Sequence, residues 1–143
     1  MNKVAIYTDG ACRGNPGPGG WGVLLRFSEG EKMLSGADAN TTNNRMELMA
    51  AIKGLESIDV TTHIDLYTDS QYVQKGMSEW LSGWKRRGWK TSTNQPVKNV
   101  DLWKLLDEQT KRHHVTWHWL KGHNGHIEND RADALAREAI DRG

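Results

Sequence analysis

The sequence predicts an α/β fold, a mixed sheet of five strands with helices packed on it. Three observations carry this reading. Three β-rich segments near the N-terminus are separated only by turns, as in an antiparallel meander. From residue 44 the apolar spacing changes from alternation to helical repeat. After that, helical and β-rich segments alternate, giving the order βββαβαααβα, which a mixed sheet flanked by helices satisfies.

The first strand is Val4-Ala5-Ile6-Tyr7-Thr8, stopping at Asp9-Gly10. The run Gly14-Asn15-Pro16-Gly17-Pro18-Gly19-Gly20 is a dense turn signal, Trp21 to Phe27 a second strand, and Lys32 to Gly36 a third after the turn Ser28-Glu29-Gly30-Glu31. Met46, Met49, Ala50, Leu55 and, weakly, Ile52 mark a helix from about Asn44 to Ile58; Thr41 to Asn44 offer N-caps, and Asn44 with Glu47 resembles a capping box. His63 to Thr68 is strand-like and ends at Asp69-Ser70, where Ser70 can cap a helix. Met77 to Trp84 reads as a short helix. Another begins at Asn99 or Asp101, with Leu102, Leu105 and Leu106 as its apolar side. Val115 to Leu120 alternates as the fifth strand, Lys121 to Glu128 is a loop, and Asn129 to Arg142 is a helix with Ala132, Leu135, Ala136, Ala139 and Ile140 inward.

A chain of 143 residues is one domain's worth, read as a single domain over 1–143. No apolar run approaches the roughly 20 residues of a membrane span, and the N-terminus lacks a secretory signal. The single cysteine, Cys12, has no internal partner, which suits a reducing cytoplasm. Charge is unevenly spread. Lys75, Lys85, Arg86, Arg87, Lys90 and Lys98 face only Glu79 within their segment, a net of +5 that leaves −4 for the rest of a chain whose total is +1. Such a patch suggests a polyanionic partner at one place, although a solvated helix face is the commoner meaning of a charge run.

One internal echo organises the site. The first strand ends Tyr7-Thr8-Asp9-Gly10 and the fourth ends Tyr67-Thr68-Asp69-Ser70. As parallel neighbours these ends would set two carboxylates side by side, beyond the carboxyl ends of the strands where open sheets bind ligands. Two ionised carboxylates repel, and a divalent cation removes the repulsion. Hard oxygen ligands without Cys favour Mg²⁺ or Mn²⁺ over Zn²⁺. Each acid also has a plain reading. Asp9 and Asp69 could be turn or cap residues, Glu47 could close a capping box, and Asp133 could be a surface acid paired with Arg137 at i+4.

Five motifs in order remove much of that ambiguity: Thr8-Asp9-Gly10-Ala11-Cys12, Gly14-Asn15-Pro16-Gly17, Thr42-Asn43-Asn44-Arg45-Met46-Glu47-Leu48, Tyr67-Thr68-Asp69-Ser70-Gln71-Tyr72 and Gly122-His123-Asn124-Gly125-His126. On these the chain closely resembles ribonuclease H type 1 in its bacterial form, over nearly its whole length. The resemblance implies the ribonuclease H-like fold, three antiparallel strands plus two parallel in one mixed sheet with helices on both faces. It implies endonucleolytic hydrolysis of the RNA strand of an RNA–DNA hybrid, leaving 5′-phosphate ends, by a monomer. It also implies four metal-binding acids, Asp9, Glu47, Asp69 and Asp133, holding two Mg²⁺ ions with Mn²⁺ as a possible substitute. Asp9 would bridge the ions, Glu47 and Asp69 would serve one, and Asp69 or Asp133 the other. His123, in what should be a mobile loop, becomes a proton shuttle, its side chain titrating near neutral pH; His126 is left structural.

The same resemblance assigns the substrate contacts. Asn15, Asn43, Asn44 and Gln71, with the backbone near Cys12, would grip the RNA strand through its 2′-hydroxyls, the handle that separates RNA from DNA. Trp80, Trp84 and Trp89, interleaved with Lys85, Arg86, Arg87 and Lys90, form the basic protrusion of bacterial members, its rings against deoxyribose and its cations on phosphates. Trp103, Trp117 and Trp119 are read as at least partly core. Thr42 and Asn99 match a pocket for a DNA phosphate, though Asn40 stands where a basic residue is common. Two other readings remain open: a non-catalytic hybrid-binding module, which would lack some of the acids, and another nuclease of the wider superfamily, which would lack the Trp-rich segment and the Gly-His loop.

Overall fold

The computed structural model describes residues 3–121 and 126–143. Five strands form one sheet in the order β3-β2-β1-β4-β5: β1 (Lys3–Cys12), β2 (Gly17–Phe27), β3 (Gly30–Thr41), β4 (His63–Thr68) and β5 (His114–Trp119). Strands β1 to β3 are antiparallel, and β4 and β5 run parallel to β1, with Tyr7 opposite Tyr67 and Tyr67 opposite His118. This is the predicted mixed sheet.

Helix α1 (Asn43–Glu56) crosses from β3 to β4 and buries Met46, Leu48, Ala51, Ile52 and Leu55 against β1 and β2. Helix α4 (Val100–Arg112) packs beside α1. Helix α5 (Ile127–Arg142) covers β1, β2 and β3 on the opposite face. The core between the sheet and α1 is filled by Val4, Ile6, Val23, Leu25, Ile64 and Leu66 together with Trp103.

Several boundaries differ from the sequence reading, each for a physical reason. Strand β1 does not stop at Asp9 but continues to Cys12, because β2 pairs with it out to Gly19. The glycine run is a turn only as far as Pro16; from Gly17 it is strand. Gly20 at its end, and Gly22 beyond it, are required by contact with a helix, since a Cβ on either would lie 2.2 Å from the carbonyl oxygen of Ala136 or Ala132 on α5. Strand β3 is more than twice the expected length, a polar, largely exposed edge strand without the alternation that betrays a half-buried one. The helix that Ser70 was expected to cap is α2 (Gln71–Lys75); in place of a separate helix over Met77 to Trp84, the chain runs from α2 through a π-helical turn (Gly76–Trp80) into α3 (Leu81–Arg86). Gly76 accommodates that turn, for a Cβ there would fall 1.9 Å from the Trp103 ring. On α4 the inward positions are Leu102, Trp103 and Leu106, while Leu105 is 42% exposed: the wide Trp103 ring takes the core position. Leu135 is only half buried.

A candidate active site at the carboxyl ends of the central strands

Asp9 lies in β1 opposite Gly22 of β2, almost fully buried, and one of its carboxylate oxygens accepts the Gly10 N–H at 2.9 Å. Parallel pairing of β1 with β4 in register brings Asp69 to its side, one residue past the end of β4. There the Ser70 hydroxyl caps α2 by accepting the Val73 N–H at 3.2 Å, and the Thr68 hydroxyl accepts the Ser70 N–H at 3.1 Å. These bonds fix the turn that presents Asp69. The two Tyr-Thr-Asp strand ends therefore do what their repetition suggests.

Glu47 arrives from α1. The expected capping box between Asn44 and Glu47 is absent: the N-cap is Thr42, whose hydroxyl accepts the Arg45 N–H at 3.3 Å. The Glu47 carboxylate is thereby left to point at the strand ends. It can reach them because Gly10 has no side chain; a Cβ there would lie 2.5 Å from the Glu47 nitrogen. One ligand oxygen each from Asp9, Glu47 and Asp69 lies within 4.8 Å of the others. The fourth acid, Asp133, stands on α5 one residue from the Ala132 carbonyl that rests on Gly22. It hydrogen-bonds toward Asp9 and also contacts Arg137 at i+4, so the surface-pair reading and the site reading describe the same side chain.

Electrostatics show what this cluster lacks. Burial, the Asp69 charge and the bond and charge of Asp133 push Asp9 up to about 8. Burial, followed by the charges of Asp9 and Asp69, holds Glu47 well above the usual carboxylate range. One Glu47 oxygen, Oε1, is fully buried with no hydrogen-bond partner among the described residues. A buried carboxylate oxygen without a partner is costly. Among the described residues no cationic side chain satisfies it, and a divalent ion bound by hard oxygens fits the donor set.

The residues expected to touch substrate surround this cluster unevenly. The Asn15 side-chain oxygen accepts the Asn43 N–H at 3.1 Å, tying the Gly-rich turn to the start of α1, where Asn43 and Asn44 are exposed. The Cys12 thiol donates to the carbonyls of Gly17 and Thr41, at 3.5 and 3.4 Å. Gln71 and Asp69 share a cleft of about 560 Å³ with Trp119 and Lys121. His123 lies outside the described residues.

On the other flank, Asn99 sits in left-handed conformation at the start of α4, donates to the Tyr72 hydroxyl at 3.0 Å and accepts from Arg45 at 3.2 Å. Arg45 is also held by both oxygens of Asp101. Thr42, Arg45 and Asn99 are thus neighbours. Sequence reasoning passed over Arg45 and Tyr72; the signal for Arg45 was its place one helical turn from Thr42.

The Trp-rich segment divides into exposed and supporting parts. Trp80 is exposed, while Trp84 is buried edge-on against Trp103 with ring centroids 5.3 Å apart. Lys85 is engaged by buried Asp107 at 3.2 Å, and the Arg87 Nε donates to the Lys90 carbonyl at 3.1 Å. Trp89 is half buried under the Lys104 ammonium. Arg86 and Lys98 are exposed, and together with Trp80, Trp84 and Arg87 they line a groove of about 450 Å³. Trp117 and Trp119 are half buried and stacked on one another, ring centroids 5.0 Å apart.

A mixed sheet with clustered acids at the carboxyl ends of its two central parallel strands defines a carboxylate-site hydrolase of the ribonuclease H-like class. Similarity to known proteins bears this out. The RNase H family model matches residues 1–141. The chain is 63% identical over 139 residues to a ribonuclease H of Legionella pneumophila (strain Corby), covering 97% of each chain. It is 61% identical over 138 residues to a ribonuclease H of Marinobacter nauticus, covering 96% of this chain and 94% of that one. Among solved structures, LC9-RNase H1, described as a type 1 RNase H with the type 2 active-site motif, superposes with a TM-score of 0.88 at 33% identity, covering 99% of this chain and 74% of that one. The chain belongs to the ribonuclease H family. It is an RNA–DNA hybrid endoribonuclease, metal-dependent as that family is.

Proposed function

We propose that Asp9, Glu47, Asp69 and Asp133 hold two Mg²⁺ ions, with Mn²⁺ as a substitute, and that hydrolysis leaves 5′-phosphate ends. The observation that carries this is the buried, partnerless Glu47 oxygen within a cluster of acids that cannot all ionise without a cation. Asp9, flanked by Asp69 and Asp133, is the acid suited to bridging. When bound, divalent ions supply an activated water and stabilise charge on the leaving oxygen.

The chain's own groups supply the rest. Among the described residues no cationic side chain neutralises the buried Asp9 and Glu47 carboxylates, so their charge is reserved for the ions. His123 is proposed to carry the proton to or from the reacting oxygens. Asn15, Asn43, Asn44, Gln71 and the backbone near Cys12 are proposed to read the RNA strand; the short side chains around the N-terminus of α1 suit contacts to 2′-hydroxyls. Thr42 and Asn99 are proposed to hold a DNA phosphate. Arg45 supplies the cation that Asn40 does not, its charge shared with Asp101. Trp80, Lys85, Arg86 and Arg87 are exposed members of the Trp-rich segment for the DNA backbone; Trp80, Arg86 and Arg87 line the groove with buried Trp84, and Trp89 is half buried. No described helix is long and apolar enough to cross a membrane. A monomeric, cytoplasmic enzyme of one domain over 1–143 is part of this proposal.

The direct test is single-turnover cleavage of a labelled hybrid by Asp9→Asn, Glu47→Gln and Asp69→Asn. Each should lose about a hundred- to a thousandfold in rate, the scale of losing a charge-stabilising group in a preorganised site. Substrate affinity should remain near wild type. A variant that keeps a tenth of the rate removes that acid from the site.

A further inference from the structure

A pair of imidazoles lies away from the acids. Helix α5 packs on β1, β2 and β3, and the same sheet face over β4 and β5 carries exposed His63, His114 and Thr116. His63 opens β4 and His114 opens β5, and the two are register partners in adjacent parallel strands. Their rings stack with centroids 4.9 Å apart at 28°. Neither ring has a hydrogen bond or ion pair among the described residues.

We propose that His63 and His114 form a chelating site for a borderline transition ion of the Zn²⁺, Ni²⁺ and Cu²⁺ class, separate from the hard-oxygen acid cluster. Neutral imidazole is the commonest protein ligand for such ions, with metal–nitrogen distances of about 2.0–2.1 Å. Two rings already side by side on paired strands need only side-chain rotation to converge on one ion. Their nitrogens give up no existing partner in doing so. A third donor stands on the same face two residues beyond His63. Asp65 shares with His63, Lys3 and Thr116 a cavity of about 310 Å³. Its carboxylate is held by His118 at 2.9 Å and Lys3 at 3.4 Å, and the exposed Lys3 is easily displaced. Nitrogen-rich ligation ranks Cu²⁺ above Ni²⁺ and Zn²⁺ and leaves Mg²⁺ unbound, the reverse of what the acid cluster selects. An ion here ties together the starts of β4 and β5, so it stabilises the fold by mass action. At one hundred times Kd the folded-to-unfolded ratio rises about a hundredfold.

The test is calorimetric titration of the whole chain with Ni²⁺ and with Zn²⁺ in excess Mg²⁺, which saturates the acids. It is paired with the His ring resonances during substoichiometric Ni²⁺ addition. One ion should bind, broadening His63 and His114 first. His63→Gln and His114→Gln should each weaken binding at least about tenfold while melting normally without the ion, and Asp9→Asn should bind Ni²⁺ as wild type does. Absence of Ni²⁺ and Zn²⁺ binding, or binding unchanged in both Gln variants, overturns the site.

Discussion

Replacing Asp9 by Asn should destroy the activity and stabilise the metal-free protein. Burial and the charges around Asp9 raise it to about 8, against an ordinary Asp value near 4. A carboxyl whose folded value lies above its unfolded value contributes stability that is fully present below about pH 4. That stability is lost as pH rises through the folded value. Between about pH 4 and pH 7 the loss runs at about 1.36 kcal/mol per pH unit, or about 4 kcal/mol. Asn is nearly isosteric and keeps the acceptor for the Gly10 N–H, so it removes the penalty without a cavity. It also gives up some of the hydrogen bonding among the acids, which brings the expected gain to about 2–4 kcal/mol. For a chain of this length that raises Tm by about 5–15 °C. The assay is thermal unfolding by circular dichroism at pH 7 and at pH 5, in EDTA and in Mg²⁺ or Mn²⁺. The advantage of Asp9→Asn should shrink toward pH 5, and divalent ions should stabilise wild type more than the variant. An Asn variant less stable than wild type in EDTA at pH 7, or an equal response of both to the ions, would show that holding Asp9 among the acids costs the fold nothing.

Three further outcomes are expected. His113 is buried between α1 and the start of β4, accepting the Thr62 N–H at 3.2 Å and facing the Leu55 carbonyl at 3.2 Å with its other nitrogen. Burial holds its pKa below 6.5, so the stability of its neutral form is full above pH 6.5 and declines as pH falls below it; denaturant titrations should show wild type losing more stability between pH 7 and pH 5 than His113→Gln does. Gly22→Ala puts a Cβ against the Ala132 carbonyl and must displace the helix that carries Asp133; it should cost about 1–3 kcal/mol in urea unfolding and lower kcat as well. Neutralising Lys85, Arg86 and Arg87 together should weaken hybrid binding and flatten its dependence on log salt by about 0.9 for each phosphate that the protein no longer neutralises; because Lys85 and Arg87 also brace the protein, Arg86→Ala alone should carry the largest share per residue in fluorescence-anisotropy titrations.

Legibility in the sequence varied with the kind of signal. Strands β1, β2, β4 and β5 and helices α1, α4 and α5 were legible because each has one buried face and hence a period. Strand β3 was not, since an exposed edge strand leaves no alternation. Helix α2 was legible from its Ser70 cap, but its continuation through the π-helical turn was not, because Gly76, needed to let Trp103 in, interrupts the helical pattern. In the site, Asp9 and Asp69 announced themselves by the repeated strand ends, whose parallel pairing is visible as a motif. Glu47 and Asp133 did not. Their approach depends on Gly10 and Gly22, which only packing across the fold explains. The motif resemblance supplied both acids. Trp84 and Lys85, grouped with the substrate contacts by the resemblance, are held by partners distant in sequence: Trp84 is buried against Trp103, and exposed Lys85 is tied to buried Asp107.

Asp9, Glu47 and Asp69, which converge, and Asp133, which the proposal adds to them, should cut RNA paired with DNA only when they hold divalent ions. Incubating the protein with strand-labelled RNA–DNA hybrid, duplex DNA and duplex RNA, each in Mg²⁺, Mn²⁺ or EDTA, puts this to the proof in one experiment. Cleavage of the RNA strand of the hybrid alone is expected, leaving 5′-phosphate ends, with either ion and not in EDTA. Cleavage that persists in EDTA, or cutting of duplex DNA, would contradict it.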